Sequence, residues 1–144
     1  MTPKIKPKKG ISVINAYLST KSSKEDLKKD SYLNISFRHL DTEQGASLTE
    51  WNETGFLLTA VNRLKDLCCA SLQQQLGGAI VIYGSFPDNK SDFYHPKHVP
   101  EDAQWGRVHI DGTHILAGHF VDSTFYIVFL DNNHAFYKVK LKNT

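Results

Sequence analysis

Hydrophobic residues recur at three- and four-residue steps from residue 48 to residue 76, and this spacing predicts an amphipathic helical segment. Ser47, with Glu50 three residues later, forms a capping-box pattern at its start, and Gly77 follows its end. Gly55 weakens a helix interior by about 1 kcal/mol, so the segment is either one long helix or two helices that separate there. The apolar stripe consists of Leu48, Trp51, Gly55, Leu58, Val61, Leu64, Cys68, Leu72 and Leu76.

Alternating patterns and short apolar runs predict β-strands on both sides of this segment. Residues 32–38 place alternate apolar side chains on one face, and residues 79–84 form a short buried strand. From Trp105 onward the pattern becomes a four-stranded meander whose connections, Asp-Gly, Asp-Ser and Asn-Asn, are typical of tight hairpins. The chain is therefore predicted to be an α+β domain, with an antiparallel sheet of four to five strands and a long amphipathic helical segment packed on one face.

Two-residue turns determine which meander side chains share a face, because successive strand residues point to opposite sides. These turns pair His109 with His114, and His119 with Tyr126. The face predicted to pack beneath the helices carries Val108, Ile110, Ile115, Ala117, Val121, Tyr126, Val128, Leu130, Tyr137 and Val139. The opposite face carries Trp105, Arg107, His109, His114, Leu116, Phe120, Phe125, Ile127, Phe129, Asp131, His134, Phe136, Lys138 and Lys140.

His119 falls on the face predicted to pack beneath the helices. We interpret it as a buried or half-buried hydrogen-bonding partner of the Tyr126 hydroxyl, because buried polar groups in proteins are normally paired. A catalytic role for this imidazole is the alternative.

Charge is distributed unevenly along the chain, which has 17 basic and 15 acidic residues. Residues 1–30 hold eight lysines against three acids, so the remainder has nine basic and twelve acidic residues. Nucleic-acid binding would therefore need a local patch together with the lysine-rich arm. We expect residues 1–20 to form that arm, disordered in solution, and residues 21–144 to form one α+β domain. Ser22 and Glu25 form a second capping-box pattern, for a short helix.

Neither a signal-peptide core nor a run of about 18 apolar residues is evident, which favours a soluble, cytoplasmic protein without a membrane partner. Cys68 and Cys69 are adjacent and suit a reducing compartment rather than a disulfide framework.

The stretch between the strand at 79–84 and Trp105 is a long segment of turn-forming residues without periodicity, and such loops are often functional or mobile. It contains His95, Lys97 and His98. The two histidines are candidate metal ligands, but the sequence offers no nearby cysteine or clear carboxylate partner, so a solvated loop is the simpler interpretation.

The histidines on the face opposite the helices suit RNA cleavage without a metal or other cofactor. In that reaction the 2′-hydroxyl attacks the adjacent phosphate while a base removes its proton and an acid protonates the leaving 5′-oxygen. Histidine titrates near neutral pH and serves in either role. His109 and His114 are the candidate acid and base, in an order that spacing leaves open, with Asp131 or His134 orienting or assisting them.

Cations and aromatic rings complete this candidate site. Arg107, helped by Lys138, would stabilise the charged phosphate. Exposed rings such as Trp105 or Phe136 would stack on bases.

The element order and the stretch "HILAGHFVDSTFYIVFLDNNHAFY" resemble the small RelE-like bacterial toxins, within the broader group of barnase-like and colicin-like ribonucleases. The resemblance covers residues 31–141 in element order and residues 105–138 in residue character. It implies that one sheet face cuts RNA, often on the ribosome, and that a cognate antitoxin is the partner. The implied catalytic residues are Arg107, His109, His114, His134 and Lys138. The candidate substrate contacts, chosen from the residues themselves, are Trp105, Asp131, Phe136, Lys140 and Lys97.

The sequence thus predicts a toxin-like, metal-independent endoribonuclease. The alternative is a non-catalytic protein-interaction domain of the antitoxin, immunity or adaptor type that uses the same aromatic and basic face. A histidine metal site is a third interpretation.

Overall fold

A computed structural model describes residues 31–139, which form a five-stranded sheet and a layer of short helices. In chain order the elements are β1 (Asn34–Ser36), α1 (Leu48–Glu53), α2 (Phe56–Cys68), α3 (Leu72–Gln75), β2 (Ile80–Gly84), β3 (Gln104–His109), β4 (Ile115–Val121) and β5 (Thr124–Asp131). The predicted N-terminal arm, the Ser22–Glu25 helix start and Lys140 lie outside the described residues. Among the described helices, none has the length and apolar character needed to cross a membrane.

The start of the helical layer agrees with the sequence. The Ser47 hydroxyl accepts a hydrogen bond from the Glu50 backbone N–H at 3.0 Å, and the Glu50 carboxylate accepts one from the Ser47 N–H at 2.7 Å. Of the two alternatives for residues 48–76, a single long helix is not formed and the break near Gly55 is present, because Gly55 adopts a left-handed conformation (φ +80°) between α1 and α2. A further break after Cys68 separates α2 from the four-residue α3.

The sheet has the strand order β1-β5-β4-β3-β2 and is mostly antiparallel. Strand β1 is the exception, since it pairs in parallel with β5 at one edge. The strand predicted after Asn133 is absent from the described part of that region, where residues 132–139 are irregular. This segment instead bonds to the long loop: the Asp92 N–H donates to the Ala135 carbonyl at 2.9 Å, and the Lys138 N–H donates to the Lys90 carbonyl at 2.8 Å.

Pairing between β3 and β4 is shifted by one residue from the prediction. His109 lies opposite Ile115 rather than His114, because the connecting turn holds one residue more than an Asp-Gly hairpin. The next turn is as predicted, and His119 pairs with Tyr126. A bulge then leaves Val128 as an extra residue in β5, so both faces differ from the predicted ones.

Both faces of the sheet are buried. Under the helices, sheet residues from β2 to β5 pack with Leu33, Trp51, Ala60, Leu64, Leu67 and Leu72. Those sheet residues are Ile80, Val108, Leu116, Phe120, Phe125, Ile127 and Leu130, and Ile110, which directly follows β3, packs with them. The opposite face carries a second cluster, here called the far-side cluster: Val99, Ala103, Trp105, Ile115, Ala117, Val128, Phe129 and Phe136.

The long loop after β2 covers the far side of the sheet, where the sequence led us to expect an open face and a solvated loop. Phe86 and Phe93 from this loop pack against the far-side cluster. The Gln44 side chain anchors the loop by bonding to both the backbone N–H and the carbonyl of Tyr94, each at 2.9 Å. Any functional site on this face must therefore lie where the cover ends.

Candidate active site

Arg107, His109 and His134 meet on the far side of the sheet, and we call these three residues the Arg107 site. Arg107 and His109 are alternate residues of β3 and share the side of the strand that carries Trp105. The imidazole of His134 approaches from the segment after β5, with its ring centroid 5.9 Å from that of His109. All three side chains are partly exposed, so a ligand can reach them.

Asp131 builds the turn that carries His134. Its carboxylate is 2% exposed and accepts backbone N–H bonds from Asn133 at 3.1 Å, Ala135 at 3.0 Å and Phe136 at 2.8 Å. The sequence suggested Asp131 as a substrate contact. The structure instead commits both carboxylate oxygens to the chain itself.

His134 occupies an unusual backbone conformation, with φ at +55°. A left-handed backbone costs a non-glycine residue on the order of 1 kcal/mol, and histidine, asparagine and aspartate are the residues that adopt it more readily than others. The His134 Nε2–H donates to the Gly112 carbonyl at 2.8 Å, and this bond fixes the orientation of the ring. Nδ1 is the ring nitrogen that this bond does not use.

Burial and neighbouring cations lower the pKa of His109 below its usual 6.5. Burial is the largest cause, followed by Arg107, His134 and Arg63, while Asp111 opposes them. Arg63 comes from α2 and its Nε–H donates to the His109 carbonyl at 3.3 Å. His109 is therefore neutral at neutral pH, as a general base must be.

Tyr83 borders the Arg107 site from β2. Burial raises the pKa of its hydroxyl above 10, and the nearby Arg107 guanidinium partly offsets that effect. The ring of Tyr137 stacks on Tyr83 with centroids 4.1 Å apart. An aromatic pair therefore adjoins the guanidinium.

His114 lies apart from the Arg107 site, contrary to the predicted pairing with His109. Its ring stacks on Phe56 of α2, with centroids 3.7 Å apart, and contacts Trp51 edge-on. Its Nδ1 lies 2.9 Å from the Asp111 carboxylate. The one-residue shift between β3 and β4 explains this position on the helix side.

The remaining predicted site residues lie outside the Arg107 site, either in the far-side cluster or elsewhere on the surface. Trp105 and Phe136 are 0% exposed in the far-side cluster, so the expectation that their rings face solvent is wrong. Lys138 forms an exposed ion pair with Asp92 at 2.6 Å. Lys97 and His98 line an open groove of about 600 Å³ towards the end of the long loop.

A second histidine group surrounds His119, which is 2% exposed. Its Nε2 is 2.9 Å from Nδ1 of His39, so one imidazole N–H donates to the other ring. Tyr126 stacks on the His119 ring with centroids 4.9 Å apart. The predicted partnership with Tyr126 is thus a ring contact, and the hydrogen-bonding partner is His39.

Burial lowers the pKa of His119 to about 4, with further contributions from His39, His95 and His98. His98 holds the arrangement in place by donating from Nε2 to the His39 carbonyl at 2.8 Å. We call His39, His95, His98 and His119 the His119 cluster. Sequence spacing gave no sign of it, because His39 and His119 are 80 residues apart.

The histidines do not assemble into a metal centre within residues 31–139, where no group of three or more His, Cys, Asp or Glu side chains is arranged to hold an ion. His95 and His98 therefore have no such ligand set around them in that part of the chain. Comparison with known proteins found no matching family model, curated protein or solved structure.

Proposed function

We propose that this protein is a toxin-like endoribonuclease that cleaves RNA, including message on the ribosome, by histidine acid/base chemistry without a metal. One observation carries the proposal: an arginine and two histidines interact at a partly exposed place on an otherwise covered sheet face. Such a cytoplasmic enzyme would need a cognate antitoxin or similar small protein to restrain it.

His109 is the base in this scheme. Because burial and the adjacent cations lower its pKa, the neutral ring is available to take the proton of the 2′-hydroxyl. The 2′-oxygen then attacks the phosphorus, and the bond to the 5′-oxygen breaks. The products are a 2′,3′-cyclic phosphate and a free 5′-hydroxyl.

His134 is the acid in this scheme, and it takes the place of His114 in the predicted acid and base pair. Its Nε2–H is held by the Gly112 carbonyl, so the ring acts as the acid in its imidazolium form, whose Nδ1–H would pass a proton to the leaving 5′-oxygen and leave the ring neutral. A centroid separation of 5.9 Å allows two imidazoles to reach two oxygens of one phosphodiester.

Arg107 supplies the positive charge that the reaction needs. Negative charge builds on the phosphate oxygens in the transition state, and a fixed guanidinium stabilises it more strongly than water does. After burial, the charge of Arg107 is also the next largest cause of the lowered pKa of His109, so one side chain supports two parts of the mechanism.

The test is RNA cleavage by purified variants. Arg107→Ala, His109→Gln and His134→Asn should each lower the rate by about 10²- to 10⁴-fold with the fold retained. Asn is chosen at 134 because it tolerates a left-handed backbone. His114→Gln is the matched control and should cleave at the wild-type rate. Equal activity in all four variants would exclude the proposed site.

A protein-interaction domain is the second candidate, and an exposed apolar patch on the helix side favours it. Phe37 is 52% exposed, Val61 48% and Leu48 38%, and they border one apolar groove. Patches of this kind often mark protein contacts. If wild-type protein leaves RNA intact and Val61→Glu abolishes binding of a partner, this candidate replaces the nuclease.

A further inference from the structure

A recess opens beside the Arg107 site, between β2, the start of the long loop and the C-terminal segment. Tyr83 and Tyr137 form its aromatic wall, and Ser85, Asn89 and Lys90 contribute polar groups. Its volume is about 330 Å³. This is near the lower end of ordinary small-ligand sites, which run from about 300 to 1,000 Å³, so the recess suits one small planar group.

The two tyrosines are held as a rigid pair. Their rings are nearly parallel, with an interplanar angle of 14°, and Phe136 supports Tyr83 from the far-side cluster. The backbone bond from the Lys138 N–H to the Lys90 carbonyl fixes Tyr137 and Lys90 next to each other. A preorganised aromatic surface of this kind loses little entropy when a ligand stacks on it.

A cation already lies over this surface. The Lys90 ammonium is 5.2 Å from the centroid of the Tyr137 ring, and the lysine side chain is otherwise exposed. On the other side of the pair, Tyr83 adjoins the Arg107 guanidinium. The recess therefore presents an aromatic wall flanked by two positive charges, with the exposed Asp88 carboxylate also in its lining.

We propose that this recess binds a nucleobase of single-stranded RNA next to the phosphate held by Arg107. The inference rests on the proposed function and adds the substrate class to it. The base stacks on Tyr137 and takes the place of the Lys90 ammonium, which moves to the neighbouring backbone phosphate. Asn89 lies at the recess wall, where its amide meets the edge of the base. A base inside a duplex is already stacked and cannot enter, so the site selects single strands.

Binding can be measured apart from cleavage with a fluorescein-labelled 2′-O-methyl RNA octamer, which lacks the attacking hydroxyl. Fluorescence anisotropy should give tighter binding of the single strand than of its duplex. Tyr137→Leu should weaken single-strand binding by about 10-fold, whereas Tyr137→Phe, which keeps the ring, should bind as the wild type does. Lys90→Ala should reduce the slope of log Kd against log salt concentration by about 1.

The outcomes separate this inference from the proposed function. If Tyr137→Leu and Lys90→Ala bind as the wild type does, or if the duplex binds better, the recess is not a base site even when RNA is cleaved. If RNA stays intact but binding depends on Tyr137, the recess stands and the nuclease assignment fails. Should Tyr137→Leu unfold, an unchanged salt slope in folded Lys90→Ala counts against the recess.

Discussion

Acidification should destabilise the fold through His119. Its pKa is about 4 in the folded protein against an ordinary 6.5, so between these values the unfolded chain binds a proton that the folded chain does not. Stability is then fully present above pH 6.5 and decreases as the pH falls towards 4. At about 1.36 kcal/mol for each unit of pKa difference, the loss is about 2 kcal/mol by pH 5 and about 3 kcal/mol by pH 4.

Urea unfolding, followed by tryptophan fluorescence at pH 7.5 and pH 5, measures this loss. Trp105 lies 6.0 Å from the His119 ring, and Trp51 reports on the helix side of the sheet. The variant His119→Gln keeps a hydrogen-bonding side chain opposite His39 but does not titrate. Between the two pH values, its free energy of unfolding should fall by about 2 kcal/mol less than that of the wild type.

The control is His114→Gln, which removes an imidazole from outside the His119 cluster and should retain the loss that His119 causes. The burial of His39 lowers its pKa as well, so some pH dependence in the same direction should remain in His119→Gln. A wild type and a His119→Gln variant that lose stability equally between pH 7.5 and pH 5 would refute the reasoning.

Three further substitutions test the framework around the sites by urea unfolding. Ser47→Ala removes the observed cap and should cost about 1 kcal/mol, and an unchanged midpoint would contradict the capping box. Gly118→Ala would place a Cβ against the Tyr126 carbonyl oxygen at the bulge and should cost about 3 kcal/mol; wild-type stability would contradict that packing. Asp131→Asn weakens three charge-assisted bonds and should cost about 2 kcal/mol, whereas a neutral effect would contradict its turn-building role.

Local patterns predicted the elements that depend on local chemistry. The Ser47 and Glu50 cap, the strand at Ile80–Gly84 and the pairing of His119 with Tyr126 are all present in the structure. Each depends on residues close together in the chain, through side-chain spacing or turn length. Composition and element order were likewise enough to indicate an α+β domain.

Features that depend on a single residue of register or on distant contacts could not be predicted. One additional residue in the turn before His114 moved it away from His109, and the Val128 bulge altered the faces of β5. The long loop that covers the far-side cluster has no periodic pattern of apolar residues, so its packing on the sheet could not be predicted. The segment that carries His39 is joined to β5 by the bond between the Asp41 N–H and the Val128 carbonyl at 2.8 Å, a long-range contact that no local pattern reveals.

Mass spectrometry of cleavage products tests the central claim most directly. A short RNA with a single 2′-hydroxyl, in an otherwise 2′-deoxy strand, is incubated with the full chain in the presence of a chelator. The proposal predicts cleavage only after that nucleotide, with a 2′,3′-cyclic phosphate on one product and a 5′-hydroxyl on the other, and loss of both products with His109→Gln. An intact strand, cleavage at deoxynucleotides or full activity of His109→Gln would contradict it.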